Sequence, residues 1–204
     1  MFDTVMSKIK LSIECSSHLS SFILYDENHQ PICKEITARS DVLIYQSIPH
    51  LLNQLSITVQ DVSEIIWGQG PGSFTGIRLC ATWVQSLSYI CNINVVPVCS
   101  LTNRVLEYTR KQPIKDELIY GYLPANRAYV YQGVWQLSKN GVLTLSEPVS
   151  LVEKQSIDAR YIGLDTYLPN ASNAFELVNL NPNKYEFVTD PFSIRPNYLF
   201  DQFS

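Results

Sequence analysis

Four of the chain's eight glycines fall in one window, Gly68, Gly70, Gly72 and Gly76 of GQGPGSFTG. Glycine tolerates positive φ and lets one backbone approach another closely. Ser73 and Thr75 are residue types that cap helix N-termini, where unpaired amides can receive an anion. Read for chemistry, the loop, with Arg78 just beyond it, would lie near a phosphate, a nucleotide or a partner. Read for packing, it is a tight strand-to-helix turn. The local pattern supports both.

Known glycine motifs do not match. A P-loop needs a Lys before its Ser or Thr, and none stands here. Gly70-Pro71-Gly72 is followed by Ser, Phe and Thr before Gly76, so the dinucleotide fingerprint fails. Ser73 is displaced by one position from a nucleophile elbow, and it would need a histidine base. His18, His29 and His50 are far apart in the chain. Cys15, Cys33, Cys80, Cys91 and Cys99 include no CxxC pair. They read as reduced thiols, mostly small core residues, and not as zinc ligands. The expectation is therefore no catalytic residue and no metal site.

The loop needs a strand before it and a helix behind it. Ile65-Ile66-Trp67 supplies the strand, and residues 75–90 the helix. Upstream, residues 9–16, 21–25 and 32–37 read as three strands of an antiparallel meander, divided by Asp26-Glu27-Asn28 and Gln30-Pro31. Ile44, Ile48, Leu51, Leu52 and Leu55 recur at helical spacing behind Asp41, a fair N-cap, and Pro49 predicts a kink in that helix. Residues 95–99 are a strand and 101–111 a helix. Lys111-Gln112-Pro113 marks a lobe boundary, giving lobes of 8–111 and 112–204. The second lobe reads as strands at 118–123, 128–137 and 142–145, with a turn at Asn140-Gly141 and one more strand at 161–164. The tail after Asn170 is rich in Asn and Pro and weakly patterned. This order of elements predicts an α/β fold with a mixed sheet.

The helix after the loop has two apolar faces. Ile77, Cys80, Ala81, Val84 and Cys91 form a small-residue stripe suited to a sheet. Leu79, Trp83, Leu87 and Ile90 form a bulkier one. A helix apolar on two sides is wholly buried or shared with a partner. Val42 and Tyr45 give the first helix an extra face too, so these six residues are the candidate partner surface. Trp83 as ordinary core is the competing reading.

Composition sets the outer bounds. The chain has 204 residues, 46% hydrophobic and 17% charged, enough apolar material to fold without staples. Fifteen Lys and Arg against nineteen Asp and Glu leave a net charge of −4. That balance does not fit a protein that grips nucleic acid alone, so any such role works through a partner or a local patch. No run of about 18 apolar residues is present, and the N-terminal MFDTVMSKIK lacks a signal-peptide core, so a cytoplasmic protein without membrane association is expected.

The segment DVSEIIWGQGPGSFTGIR, Asp61 to Arg78, resembles the signature of the TsaB (YeaZ) family of bacterial tRNA-modification proteins. The IECSS turn (Ile13 to Ser17) is similar to the family's D-T-S-type turn. Pro124-Ala125-Asn126-Arg127 with Val130-Tyr131 resembles its D-A-R segment and V-Y strand, and Pro196-Asn197-Tyr198-Leu199 its closing P-x-Y-L-R. Glu14 and Cys15 replace the usual Asp and Thr, and Ala125 or Asn126 stands at the D of D-A-R. Cys80 and Ser86 occur where small glycines are common, and Phe200 replaces the last Arg. The part after Leu164 reads as shorter than the family's usual closing helices. The sequence is that of a divergent member.

The resemblance implies an actin-like ATPase (ASKHA) fold of two ribonuclease-H-like lobes, each a mixed sheet flanked by helices. It implies a non-catalytic scaffold or activator subunit, an inactive paralogue that pairs with a TsaD-like catalytic subunit and a TsaE-like ATPase. That complex forms N6-threonylcarbamoyladenosine at position 37 of tRNAs reading codons that begin with A. tRNA would be met through the complex, and an isolated chain would form a homodimer through the same helices. No cofactor of its own is implied, with ATP or ADP at the complex interface. The alternatives are a stand-alone nucleotide-binding enzyme of the same superfamily, kinase-like or glycoprotease-like, and a nucleotide-binding regulator with unrelated partners. The enzymatic ones lack ligands. No two histidines lie a helical turn apart to hold a metal, and near the first loop only Glu14 offers a carboxylate for Mg²⁺.

Overall fold

The computed structural model describes residues 8–114 and 118–197. The first sheet opens with an antiparallel hairpin, β1 (Ile9–Glu14) against β2 (Ser20–Tyr25), to which the short β3 (Ile36–Ala38) adds. On its other edge β1 pairs in parallel with β4 (Val62–Gly70), and β4 with β5 (Asn94–Cys99). The order is β3-β2-β1-β4-β5. Central strands covered on both faces carry near-continuous apolar runs, and Ile65-Ile66-Trp67 is one.

The second sheet repeats the device. Strands β6 (Leu118–Pro124), β7 (Tyr129–Leu137) and β8 (Leu143–Glu153) form an antiparallel meander, and β6 pairs in parallel with β9 (Ile162–Gly163). Its order, β8-β7-β6-β9, matches β3-β2-β1-β4 of the first sheet. Each lobe thus has the expected ribonuclease-H-like arrangement, a mixed sheet with flanking helices.

Helices fill the layers. On one face of the first sheet lie α1 (Ser40–Val42), a π turn (Leu43–Ser47), α2 (Ile48–Gln54) and α3 (Phe74–Cys91), whose buried residues share a core with Leu11, Ile13 and Ile65. Against the other face lie α4 (Ser100–Lys111) and α5 (Ala171–Leu180). Their core joins Ile66, Val96 and Val98 of the first sheet to Ile119, Tyr131 and Trp135 of the second. Trp135 Nε1 donates to Thr102 Oγ1 at 2.9 Å across this layer. Arg104, also buried, donates to the carbonyls of Leu164 and Tyr167.

Several expectations need correction. The strand expected at 32–37 is confined to Ile36–Ala38, and Pro31 makes only an isolated bridge to Tyr25. Arg39, not Asp41, is the N-cap of the first helix; Asp41 lies in its first turn, where a carboxylate suits the helix dipole. The disturbance at Pro49 takes the form of a π turn. The Ile48 amide reaches back five residues to the Leu43 carbonyl, so the ladder is already shifted where proline lacks a donor. Strand β8 runs to Glu153, well past 145. Its register against β7 shifts around Gly133, and this bulge lets Pro148 stay within the strand.

The tail is not weakly structured. Asn170 caps α5, its side chain accepting from the Asn173 amide at 2.8 Å. The chain then returns to the first sheet. The Val188 amide donates to the Val95 carbonyl, and the Asn197 amide to the Gln69 carbonyl. The first sheet's last strand ends at Cys99 and the second sheet's first strand begins at Leu118, and the segment after Asn170 returns to cover the first sheet. The N-terminal lead-in and Tyr198, Leu199 and Phe200 of the closing motif lie outside the described residues.

Candidate functional site

The glycine loop is pressed onto the turn that follows β1. A Cβ on Gly72 would lie 2.1 Å from the Ser16 carbonyl oxygen, and one on Gly76 would lie 2.2 Å from that of Cys15. The Ser73 amide donates to the Ser16 carbonyl at 2.7 Å. Ser73 is the N-cap of α3, but its side chain makes no capping bond, and Thr75 is exposed. Gly70, at φ 105°, donates its amide to Ser100 Oγ at 3.1 Å. Arg78 is exposed, with its guanidinium 3.7 Å from the centroid of the Phe74 ring. At Gly72, Ser73 and Gly76 the loop therefore meets the chain's own carbonyls, and these three positions do not fit as a cradle for nucleotide phosphates.

Beneath the loop lies Glu14, fully buried. Its carboxylate accepts from the Ser16 amide at 2.8 Å, from Ser100 Oγ at 3.0 Å and from Asn103 Nδ2 at 3.4 Å. Burial pushes this carboxyl above its ordinary value, while the bonds from Ser16 and Ser100 and the positive field of Arg104 pull the other way. Burial lowers Arg104, and Glu14 opposes that shift. Asn103 also exchanges hydrogen bonds with the backbone of Asn170, so the cluster joins β1, β4, α4 and the entry to α5. Sequence reasoning singled out Glu14 but missed Ser100 and Asn103. The signal available was their place in the first turn of a helix that directly follows a parallel strand.

A cavity of about 450 Å³ is lined by the β6–β7 turn and the end of β8, through Arg127, Tyr129 and Lys154. A second, of 360 Å³, separates the lobes beside the glycine loop. Gly72, Ser73 and Phe74 form one wall, and Pro124, Ala125 and Tyr131 the other. The glycine loop and the Pro124–Arg127 segment, far apart in sequence, thus meet at one cleft.

The helix face is divided. Leu79, Trp83 and Leu87 are half-buried and pack on the first core. Trp83 and Leu87 line a 320 Å³ apolar groove with Ile48, Leu52, Ile57 and Val59. Val42 is half-buried, whereas Tyr45 and Ile90 are 65% and 74% exposed. The structure brings Trp83 and Leu87 together with α2 and directs Tyr45 and Ile90 to solvent. Phe74 and Tyr89 are also exposed apolar residues on α3, which the stripe analysis missed. Among the described residues, no three His, Cys, Asp or Glu side chains gather as a metal site, and no helix is long and apolar enough to cross a membrane.

The model of the family described as "TsaD: tRNA N6-adenosine threonylcarbamoyltransferase" matches residues 32–132. The chain is similar to the tRNA threonylcarbamoyladenosine biosynthesis protein TsaB of Buchnera aphidicola subsp. Acyrthosiphon pisum, 26% identical over 96% of this chain and 84% of that one. The TsaB of Bacillus subtilis is 29% identical over 60% of this chain and 55% of its own. YeaZ from Pseudomonas aeruginosa shares the fold, with a TM-score of 0.76, 20% identity, and coverage of 94% of this chain and 100% of that one.

Proposed function

The chain belongs to the TsaB (YeaZ) family, and on that premise we propose that it acts in tRNA threonylcarbamoyladenosine biosynthesis as a non-catalytic scaffold or activator subunit. The observation that carries the non-catalytic part is the enclosure of Glu14. The one carboxylate near the first loop is fully buried and engaged by Ser16, Ser100 and Asn103. It has no open side from which to hold Mg²⁺ or a reacting group.

The partner is a TsaD-like catalytic subunit, met through α2 and α3, with a TsaE-like ATPase joining the pair in the cytoplasm. An apolar groove between α2 and α3, with Tyr45 exposed on the π turn and Ile90 exposed on α3, suits a helical contact of this kind. Without the partner, the same face would pair two copies of this chain. The chain holds no nucleotide of its own, and ATP or ADP belongs to the complex interface.

The test is a reconstituted transfer assay on an unmodified tRNA that reads codons beginning with A. This chain alone is expected to be inactive and to stimulate its TsaD-like partner. Glu14→Gln should keep that stimulation, with circular dichroism confirming the fold. Activity of the chain alone, or loss of stimulation by a folded Glu14→Gln, would overturn the reading.

A further inference from the structure

In a chain of net charge −4, several cations of the described residues are engaged by other groups. Lys10, Arg39, Arg110, Lys111 and Arg160 are ion-paired, and Arg104 is buried among carbonyls. Arg127 and Lys154 are exposed, make no ion pair, and line the same concavity of about 450 Å³.

Their arrangement is built in by the backbone. Asn126 Oδ1 accepts from the amides of Ala128 at 2.8 Å and Tyr129 at 2.9 Å, which locks the β6–β7 turn with Arg127 at its tip. The amides of Ala125 and Asn126 both donate to the Tyr129 carbonyl. The Lys154 amide donates to the Ala128 carbonyl at 2.7 Å, which holds the end of β8 beside that turn. The carboxylate on the rim, Glu153, accepts from Gln155 Nε2 at 2.7 Å. The two cations therefore outnumber one carboxylate that already has a donor.

We propose that Arg127 and Lys154 form a contact site for the phosphodiester backbone of RNA. The form of the site favours a passing polyanion over an enclosed small ligand, since both cations are exposed and the concavity is open. Contacts of this type position a nucleic acid without reading its sequence. The choice of RNA rests on the pathway proposed above; the local patch supplies what the overall charge does not.

The experiment titrates a fluorescently labelled tRNA transcript with the full chain, alone and mixed with its TsaD-like partner, over a salt series. The Arg127→Gln/Lys154→Gln double variant should lose on the order of tenfold in affinity at low salt, and its dependence of log affinity on log salt should flatten by about one to two. Lys139→Gln, at an exposed cation on the β7–β8 turn, should change neither. Melting temperature and complex formation should be unchanged in both. Equal RNA affinity and salt dependence for the wild type and the double variant would overturn the site. An equal loss with Lys139→Gln would also overturn it, since the attraction would then be diffuse. Retained RNA binding with lost affinity for the partner would show a protein contact instead. The transfer assay above fails or succeeds independently of these readings.

Discussion

Glu14 and Gly68 touch so closely that a methyl group on Gly68 would fall 2.1 Å from a Glu14 carboxylate oxygen. The glycines of the loop, read as a set, are fitted to the end of β1 and the turn after it. Gly68 makes room for the Glu14 side chain, Gly72 for the Ser16 carbonyl and Gly76 for the Cys15 carbonyl.

Gly72→Val is therefore expected to force the loop off that turn. Overpacking of this kind costs roughly 1–3 kcal/mol, sometimes more. Thermal melting followed by circular dichroism should show Tm falling by several degrees. An unchanged Tm would mean that the carbonyl of Ser16 can withdraw at no cost.

Glu14 also gives the fold a pH dependence. Its carboxyl is raised in the folded state by burial, above the ordinary 4.5. Below that ordinary value both states hold the proton and its stabilising contribution is complete; it is lost as pH rises toward and through the raised folded value. Glu14→Gln should flatten this part of the curve. Denaturant melts of wild type and variant from pH 4 upward measure it, and parallel curves would contradict the assignment.

At the helix face, Ile90 is a cleaner probe than Trp83. Trp83 is half-buried against the core, so Trp83→Ala mixes fold and association. Ile90 is 74% exposed, and Ile90→Asp should change stability by no more than about 0.5 kcal/mol. Its affinity for the TsaD-like partner, read by calorimetry, should fall at least several-fold. Unchanged affinity would move the contact elsewhere on the molecule.

The first half of the chain was the more legible in sequence, because its strands are apolar runs and its breaks are glycines and prolines. The helix α5 was not read, though Asn170 and the spacing of Ala171, Ala174, Phe175 and Val178 carry a capped helical pattern. Surrounding Asn and Pro residues masked it. Pro148 likewise cut β8 short, because a bulge cannot be foreseen from one strand alone. The cluster around Glu14 draws on Ser100, Asn103 and Asn170, brought together only by tertiary structure. The candidate partner stripe was legible as apolar, but periodicity alone could not separate half-buried Trp83 from exposed Ile90.

The return of the C-terminal portion to the first sheet bears on the order of synthesis. Ser12 Oγ donates to the Ala171 carbonyl, and the Tyr25 ring stacks on Phe175 with centroids 3.5 Å apart. Strands β1 and β2 thus await a helix made some 150 residues later. Until it arrives, apolar side chains such as Ile23, Ile66 and Val96 have only α4 as helical cover on that face. A nascent chain halted after α4 has that face of its sheet only partly covered, and contacts spanning such distances slow folding.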